Sequence, residues 1–265
     1  MHVAAIVPAA GKGQRMGMGQ NKAFLPLGER PVLAHTLRVL RQCESIGQIV
    51  VAVGEDDLDR CREELPHWVD TSCCVFVAGG STRQESVRNC LKAVTPDADL
   101  YLVHDGARPL VTPQLVRSVI SLAADTGAAV AAVPAKDTVR LTDDGKFFSY
   151  TPDRSSVWMV QTPQVFHAAL LLRAHEAAAA EGYVGTDDAA LVEKLGVRIA
   201  IAVGSYENIK ITTKEDLMLA EAILKLRKED GCRAGARDDA SQPGDNWSLG
   251  YIEGCSGGNA FRASE

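Results

Sequence analysis

A glycine-rich segment near the N-terminus has the residue types of a phosphate-binding loop. It occupies residues 8–17 and directly follows a short apolar run, residues 3–8. Small residues let backbone N–H groups approach an anion closely. Arg15 and Lys22 add two cations, which suit the charge on a phosphoryl group during transfer. We therefore predict that this loop binds phosphate; the alternative is an ordinary turn with solvent-exposed cations.

Two common phosphate-binding motifs do not fit this loop. Lys12 is followed by Gly13 rather than by serine or threonine, so the segment is not a Walker loop. Met16 stands where the dinucleotide-binding fingerprint requires glycine. The sequence therefore argues against a dehydrogenase.

Asp105 is a second candidate for chemistry. It follows the apolar run of residues 100–103, and open α/β sheets bind their ligands at the carboxyl ends of strands. A carboxylate at that place can bind sugar hydroxyls or a hydrated magnesium ion. The alternatives are a cap of a helix or turn and a structural pair with Arg108, three residues further on.

No set of metal ligands is predicted. Thr186, Asp187 and Asp188 precede an apolar helical pattern, so we interpret Thr186 as an N-cap with acidic residues in the first turn. The histidines in predicted helices, His35, His167 and His175, lack ligand spacing. The seven cysteines form no C-x-x-C pair, and their odd number indicates no disulfide framework.

Apolar runs alternate with helical patterns along most of the chain. This alternation is typical of a three-layer α/β domain with an open, mostly parallel, Rossmann-like sheet. The predicted strands are residues 3–8, 48–53, 75–78, 100–103, 128–133 and 198–203. The predicted helices are residues 31–40, 58–65, 81–93, 113–124, 167–181, 187–195 and 214–228.

Two segments depart from this alternation. Within residues 136–161, two short apolar stretches flank a turn at residues 143–146, which predicts a projecting β-hairpin arm. An isolated hairpin is marginally stable in water, so a partner subunit is expected to cover the arm. Residues 229–265 are rich in Gly, Ser, Asp and Asn without an apolar period, and we expect a disordered tail after a domain of residues 1–228.

The composition limits the classes of function. The chain has 265 residues, of which 46% are apolar and 23% charged, with a net charge of -6. An acidic balance argues against broad nucleic-acid binding, because phosphate backbones are bound by Lys and Arg. The sequence has no apolar run of the roughly 18 residues that predict a membrane span, and its first residues do not resemble a signal peptide. We expect a cytoplasmic protein that binds neither nucleic acid nor membrane.

Several ordered blocks resemble the 2-C-methyl-D-erythritol 4-phosphate cytidylyltransferase family, a group of nucleotidyltransferases of the non-mevalonate isoprenoid pathway. The resemblance covers about residues 3–226. The blocks are residues 8–16 with Lys22, 79–87, 103–109, 136–138, 153–154 with 161–164, and 207–212.

The resemblance implies transfer of CMP from CTP to 2-C-methyl-D-erythritol 4-phosphate, with release of pyrophosphate. It implies that Arg15 and Lys22 stabilise the α-phosphate, and that Arg154 and Lys210 hold the acceptor phosphate. The residues implied in CTP binding are Pro8, Ala9, Ala10, Gly11 and Gly13, with Gly80, Ser81 and Ser86 at the cytosine. The family often carries an acidic residue at the position of Ser81.

The resemblance also implies that Asp105, Arg108 and Thr138 contact the polyol phosphate or order the loop that does. It implies Mg²⁺ or another divalent cation as cofactor, and a homodimer whose arms interlock. Two alternatives are a ribitol-5-phosphate or other sugar-phosphate nucleotidyltransferase and a non-catalytic CTP-binding protein. Joint presence of Arg15, Lys22, Arg154 and Lys210 argues against the second, because a pure binder needs no site for the acceptor phosphate.

Overall fold

Seven strands form one sheet in the computed structural model, which describes residues 1–11 and 21–235. The strands are β1 (Val3–Pro8), β4 (Ile46–Val53), β5 (Cys74–Ala78), β6 (Leu100–Val103), β7 (Ala128–Pro134), β8 (Trp158–His167) and β9 (Ala200–Val203). Their order across the sheet is β5-β4-β1-β6-β8-β7-β9, and every strand pair is parallel except the two made by β8. The predicted α/β class with a mostly parallel sheet is thus confirmed.

Helices cover both faces of the sheet, and β1 shows why. Its side chains alternate in direction: Val3, Ala5 and Val7 pack on one side, and Ala4 and Ile6 pack on the other. The first side carries α1 (Val32–Arg41), α2 (Leu58–Glu64) and α4 (Pro113–Thr126); the second carries α3 (Arg83–Leu91), α5 (Ala168–Glu181) and α6 (Asp188–Glu193). Burial on both faces explains why the strand is continuously apolar.

The sequence prediction missed strand β8, which runs antiparallel between β6 and β7. The strand contains Pro163 and the polar residues Gln161, Thr162 and Gln164, so it lacks the apolar pattern of its neighbours. All three polar side chains are nevertheless buried. Because β8 begins at Trp158, the last residues of the predicted arm belong to the sheet.

The arm forms a hairpin with a single antiparallel bridge between Leu141 and Tyr150. Gly145, at a φ of 69°, adopts the left-handed conformation in its turn. The apolar side chains of the arm are largely exposed in the single chain, with exposed fractions of 51% for Leu141, 78% for Phe147, 69% for Phe148 and 59% for Tyr150.

A two-stranded sheet and the C-terminal helix complete the described chain. The small sheet pairs β2 (Pro26–Leu27) with β3 (Arg30–Pro31), and Leu25 and Leu27 share an apolar cluster with Ile211 and with Ala220 of the last helix. That helix, α7 (Lys214–Gly235), extends into the segment predicted as a disordered tail, so residues 229–235 are helical. Residues 236–265 lie outside the described residues.

Residues Met1–Lys225 form one compact unit, and the second unit begins at Leu226. Within the described residues, no helix is both long enough and apolar enough to cross a membrane.

Candidate active site

A cleft of about 470 Å³ lies where the loops after β1, β5 and β6 meet. These loops follow the carboxyl ends of parallel strands, where open α/β sheets bind ligands. Ten residues predicted for the site line the cleft: Pro8, Ala9, Ala10, Gly11, Lys22, Gly80, Ser81, Ser86, Asp105 and Lys210. Five further residues join them: Ala23, Thr82, Arg83, Ala107 and Thr212.

The other predicted site residues are not brought into this cleft. Arg108 is not among the lining residues, and its guanidinium donates to the carbonyl oxygen of Asn208 at 2.7 Å. Thr138 and Arg154 lie in the exposed arm. Gly13 and Arg15 lie outside the described residues.

Close backbone packing shapes one wall of the cleft. The amide of Ala9 donates to the carbonyl oxygen of Ala52 at 2.7 Å, and that of Gly79 donates to Val53 at 2.7 Å. A Cβ atom at Gly79 would lie only 2.2 Å from the Cβ of Ala10. Glycine at this position therefore permits the loops after β1 and β5 to touch.

Ser86 and Ser81 have their hydroxyl groups engaged with the turn before α3. The Ser86 hydroxyl accepts from the Gly80 amide at 3.1 Å and donates to the Thr82 carbonyl at 2.9 Å. Ser81 donates from both its amide and its hydroxyl to one carboxylate oxygen of Glu85, at 2.7 and 2.6 Å. These bonds hold the pKa of the Glu85 carboxyl below its usual value. A carboxylate thus adjoins Ser81, the position at which the family that this sequence resembles often carries an acidic residue.

Asp105 is the centre of a cluster of positive charges. Its carboxylate accepts from Arg83 Nε at 3.0 Å, pairs with Lys210 Nζ at 2.7 Å and lies 3.8 Å from Arg108 Nε. Burial alone would raise the pKa of this carboxyl, but the charges of Arg83, Lys210 and Arg108 outweigh burial and hold it well below its usual value. Asp105 is therefore ionised at neutral pH.

The hydrogen bonds around Asp105 fix the tautomer of the buried His104. Its Nε2 lies 3.2 Å from the carbonyl oxygen of Arg108, which only accepts, so Nε2 carries the proton. Nδ1 then accepts from the Thr162 hydroxyl at 3.0 Å, and that hydroxyl accepts from the Asp105 amide at 3.1 Å. Burial lowers the pKa of His104 to about 4, so the ring is neutral. The strand that the sequence pattern missed, β8, thereby holds the Asp105 backbone.

Arg83 connects the cleft to a buried acid in α6. Its Nη1 donates to Asp188 at 2.6 Å, and Asp188 also contacts Nε2 of His175 at 2.9 Å. Burial opposes ionisation of Asp188, but the charge of Arg83 lowers the pKa of this carboxyl below its usual value. Arg83 Nη2 is buried and has no protein partner among the described residues.

The structure corrects the interpretation of residues 186–188. Asp187, not Thr186, is the N-cap of α6, since its side chain accepts from the Ala190 amide at 2.9 Å. Asp188 lies in the first turn of α6, as predicted, and is a buried partner of Arg83. Within the described residues, no group of three or more metal-ligating side chains is found.

Arg154 occupies a short turn at the return of the arm. Asp153 caps this turn by accepting from the Ser155 amide at 2.9 Å, and the Arg154 guanidinium reaches the carbonyl oxygen of Lys136 at 3.5 Å. Lys136 lies over the ring of Tyr206 at 3.5 Å, and the Tyr206 hydroxyl donates to Pro134 at 2.8 Å. The base of the arm is therefore fastened to the domain.

The sequence model of 2-C-methyl-D-erythritol 4-phosphate cytidylyltransferase, IspD, matches residues 3–226 of this chain. The chain belongs to the IspD family. A protein of this name from Syntrophotalea carbinolica is 48% identical over 226 residues, which are 84% of this chain and 97% of that protein. Its counterpart from Halalkalibacterium halodurans is 46% identical over 84% of this chain and 97% of that protein.

Crystal structures of the IspD family share the fold. The 4-diphosphocytidyl-2C-methyl-D-erythritol synthase of Anaerococcus prevotii superimposes with a TM-score of 0.75 at 33% identity, covering 84% of this chain and 98% of that one. The 2-C-methyl-D-erythritol 4-phosphate cytidylyltransferase of Thermus thermophilus gives a TM-score of 0.69 at 36% identity, covering 85% of this chain and all of that one.

Two residues joined to this IspD-family site, Arg83 and Asp188, were given no part in its chemistry by the sequence prediction. Arg83 stands in one of the blocks that carry the family resemblance, and its arginine side chain next to a predicted nucleotide loop was the available signal. Asp188 had no such signal, because its pairing with Arg83 joins residues 105 positions apart in the sequence.

Proposed function

We propose that this chain transfers CMP from CTP to 2-C-methyl-D-erythritol 4-phosphate, giving 4-diphosphocytidyl-2-C-methyl-D-erythritol and pyrophosphate. The observation that carries the proposal is a single cleft in which a small-residue loop, Lys22, and the paired Asp105 and Lys210 come together. Membership of the IspD family supplies the identities of the two substrates.

The nucleotide is held by the loops after β1 and β5. Pro8, Ala9, Ala10 and Gly11 enclose it with backbone groups, and Gly13 continues this loop outside the described residues. Gly80, Ser81 and Ser86 contact the cytosine. The Ser86 hydroxyl already donates its hydrogen bond to the carbonyl oxygen of Thr82. It therefore contributes to this pocket by accepting from the Gly80 amide and holding that amide in place.

Transfer of CMP is an in-line displacement at the α-phosphorus of CTP. An oxygen of the acceptor phosphate bonds to this phosphorus while its bond to the pyrophosphate oxygen breaks. The acceptor is already an anion, so no general base is needed. Lys22, with Arg15, donates hydrogen bonds to the α-phosphate oxygens as negative charge develops on them.

The acceptor is held beside Asp105. Lys210 binds its phosphate, and the ionised carboxylate of Asp105 orients Lys210 and accepts from an acceptor hydroxyl. Arg108, which does not line the cleft, holds Asp105 and the carbonyl of Asn208 in place. Thr138 and Arg154 complete the phosphate site from the arm of a second subunit.

A homodimer accounts for the position of the arm. Leu141, Phe147, Phe148 and Tyr150 expose most of their apolar surface in the single chain. Exposed apolar groups on a projecting hairpin are typical of a protein interface. Packing of this arm on a partner would cover them and would carry Arg154 to the partner's cleft.

Mg²⁺ is proposed as the cofactor, entering with the triphosphate. Asp105 is the one carboxylate that lines the cleft within the described residues, and its oxygen atoms are paired with Arg83 and Lys210. This donor set fits an ion that keeps its waters and phosphate ligands, with Asp105 contributing at most one oxygen. When bound, the ion would neutralise triphosphate charge.

Pyrophosphate release tests the reaction. Each of the four nucleoside triphosphates is supplied alone, with methylerythritol phosphate and with ribitol 5-phosphate. We expect release only from CTP with methylerythritol phosphate. Equal release with ribitol 5-phosphate would favour the alternative acceptor, and CTP binding without release under any condition would favour a non-catalytic binder.

A further inference from the structure

One side chain, Asn21, joins the turn that carries Lys22 to two other parts of the chain. Lys22 begins the 3-10 turn Lys22–Phe24, and the Oδ1 of Asn21 caps this turn by accepting from the Ala23 amide at 3.1 Å. The Nδ2 of Asn21 donates to the carbonyl oxygen of Ala9 at 3.1 Å and to the carboxylate of Asp57 at 2.8 Å. Asn21 therefore ties the turn directly to the loop that encloses the nucleotide.

Asp57 belongs to the segment that follows β4, and this segment contacts the turn twice. The first contact is the bond from Asn21, in the 3-10 turn Glu55–Asp57. The second is the guanidinium of Arg60, which lies 4.3 Å from the ring centroid of the buried Phe24. The Lys22 turn is thus supported at both of its ends by the same segment.

This support matters because a lysine side chain is long and flexible. A displacement of about 1 Å in a group that acts on the reacting atoms costs roughly 100-fold in rate. The Lys22 side chain passes beside Gly11, where a Cβ atom would lie 4.0 Å from its Cε. The frame formed by Asn21, Ala9 and Asp57 therefore fixes the backbone of Lys22 relative to the nucleotide loop.

We propose that Asn21 and Asp57 are positioning residues for the transfer of CMP. Asn21 holds the Lys22 turn against Ala9, and Asp57 holds the Asn21 amide in the orientation that donates to Ala9. Neither side chain lines the cleft, so both act through Lys22 rather than on a substrate. The inference rests on the proposed function, because it requires Lys22 to act on the α-phosphate.

The turnover number kcat and the Michaelis constant for CTP separate this role from a structural one. Asn21→Ala should lower kcat roughly 10- to 100-fold with a much smaller change in the Michaelis constant, because Lys22 acts mainly in the transition state. Asp57→Ala should also lower kcat. Asp57→Asn should retain most of the turnover, because an amide oxygen can accept the same bond from Asn21.

A double variant tests the dependence on Lys22. In a Lys22→Ala background, adding Asn21→Ala should cause little further loss of kcat, because the group that Asn21 positions is already absent. Thr112→Ala is the matched control: its side chain caps α4 by accepting from the Leu115 amide at 3.2 Å, outside the cleft. It should lower the melting temperature and leave kcat unchanged.

The outcomes are distinct for the two proposals. If the wild-type chain transfers CMP and the Asn21→Ala variant has the same kcat, the inference is wrong and the proposed function stands. The same fold loss from Asn21→Ala with and without Lys22 also overturns it, since Asn21 would then act independently of the lysine. A wild-type chain without transfer activity overturns the proposed function and the inference with it.

Discussion

Lys22 lines the cleft, and its removal has a defined consequence. Lys22→Ala should lower kcat by about 100- to 1000-fold, because one charged donor to the α-phosphate is lost in the transition state. The melting temperature should stay close to that of the wild type. Lys194→Ala is the control, because Lys194 pairs with Glu181 on the surface outside the cleft. Similar kcat values for the two variants would remove Lys22 from the mechanism.

His104 makes the stability of the domain depend on pH. Its folded pKa of about 4 lies below the unfolded value, so the unfolded chain takes up the proton first as the pH falls. The contribution of His104 to the free energy of unfolding is fully present above about pH 7 and declines between about pH 6.5 and 4. The expected loss between pH 7 and pH 5 is about 2 kcal/mol.

Urea unfolding at these two pH values measures this loss, with His104→Gln as the comparison. The variant lacks the titrating ring and should lose about 2 kcal/mol less than the wild type over the same interval. The two proteins are otherwise identical, so the contributions of the rest of the chain cancel from the difference. Equal losses in the two proteins would show that His104 is protonated as readily in the folded chain as in the unfolded one.

The contact between the loops after β1 and β5 depends on Gly79. Gly79→Ala would place a Cβ 2.2 Å from that of Ala10 and 3.3 Å from the carbonyl oxygen of Val53, so the loop after β1 must move. We expect a loss of about 1 to 3 kcal/mol in unfolding free energy, with weaker CTP binding measured by calorimetry. Gly47→Ala, in β4, meets nothing within 4 Å and should keep its CTP affinity. Unchanged CTP affinity in Gly79→Ala would show that the loop adapts.

Strands that are apolar throughout were predictable from the sequence, and β8 was not. Leu100–Val103 is buried on both faces and therefore forms a continuous apolar run. In β8, buried polar side chains are compensated by hydrogen bonds to distant residues: Gln161 donates to Ser205, and Gln164 donates to Asp187. Such partners leave no periodic signal in the strand itself.

Part of the candidate site was also predictable from the sequence, and part of it was not. Pro8–Gly11, Gly80 and Asp105 follow apolar strands, so the sequence placed them together at one edge of the sheet. The pairing of Arg83 with Asp188 depends on tertiary packing of α3 against α6, and no local pattern encodes it. Thr138 and Arg154 stay outside the cleft of their own chain, so their assignment depends on assembly.

Assembly is testable by mixing two inactive variants, Lys22→Ala and Arg154→Ala. If the arm of each chain completes its partner's site, a mixed dimer has one site with both lesions and one with neither. Random exchange makes about half of the dimers mixed, so activity should return to about one quarter of the wild type. Differently tagged chains and native mass spectrometry establish that exchange has occurred.

The control mixture is Lys22→Ala with Lys210→Ala, two residues that line the same cleft of one chain. Every site in their mixed dimers carries one lesion, so exchange should restore no activity. Recovery with Arg154→Ala and none with Lys210→Ala would therefore locate Arg154 in the partner's site. Demonstrated exchange without recovery in either mixture would mean that Arg154 serves its own chain, and the arm would then have to reach its own cleft by a rearrangement of its base at Lys136 and Tyr206.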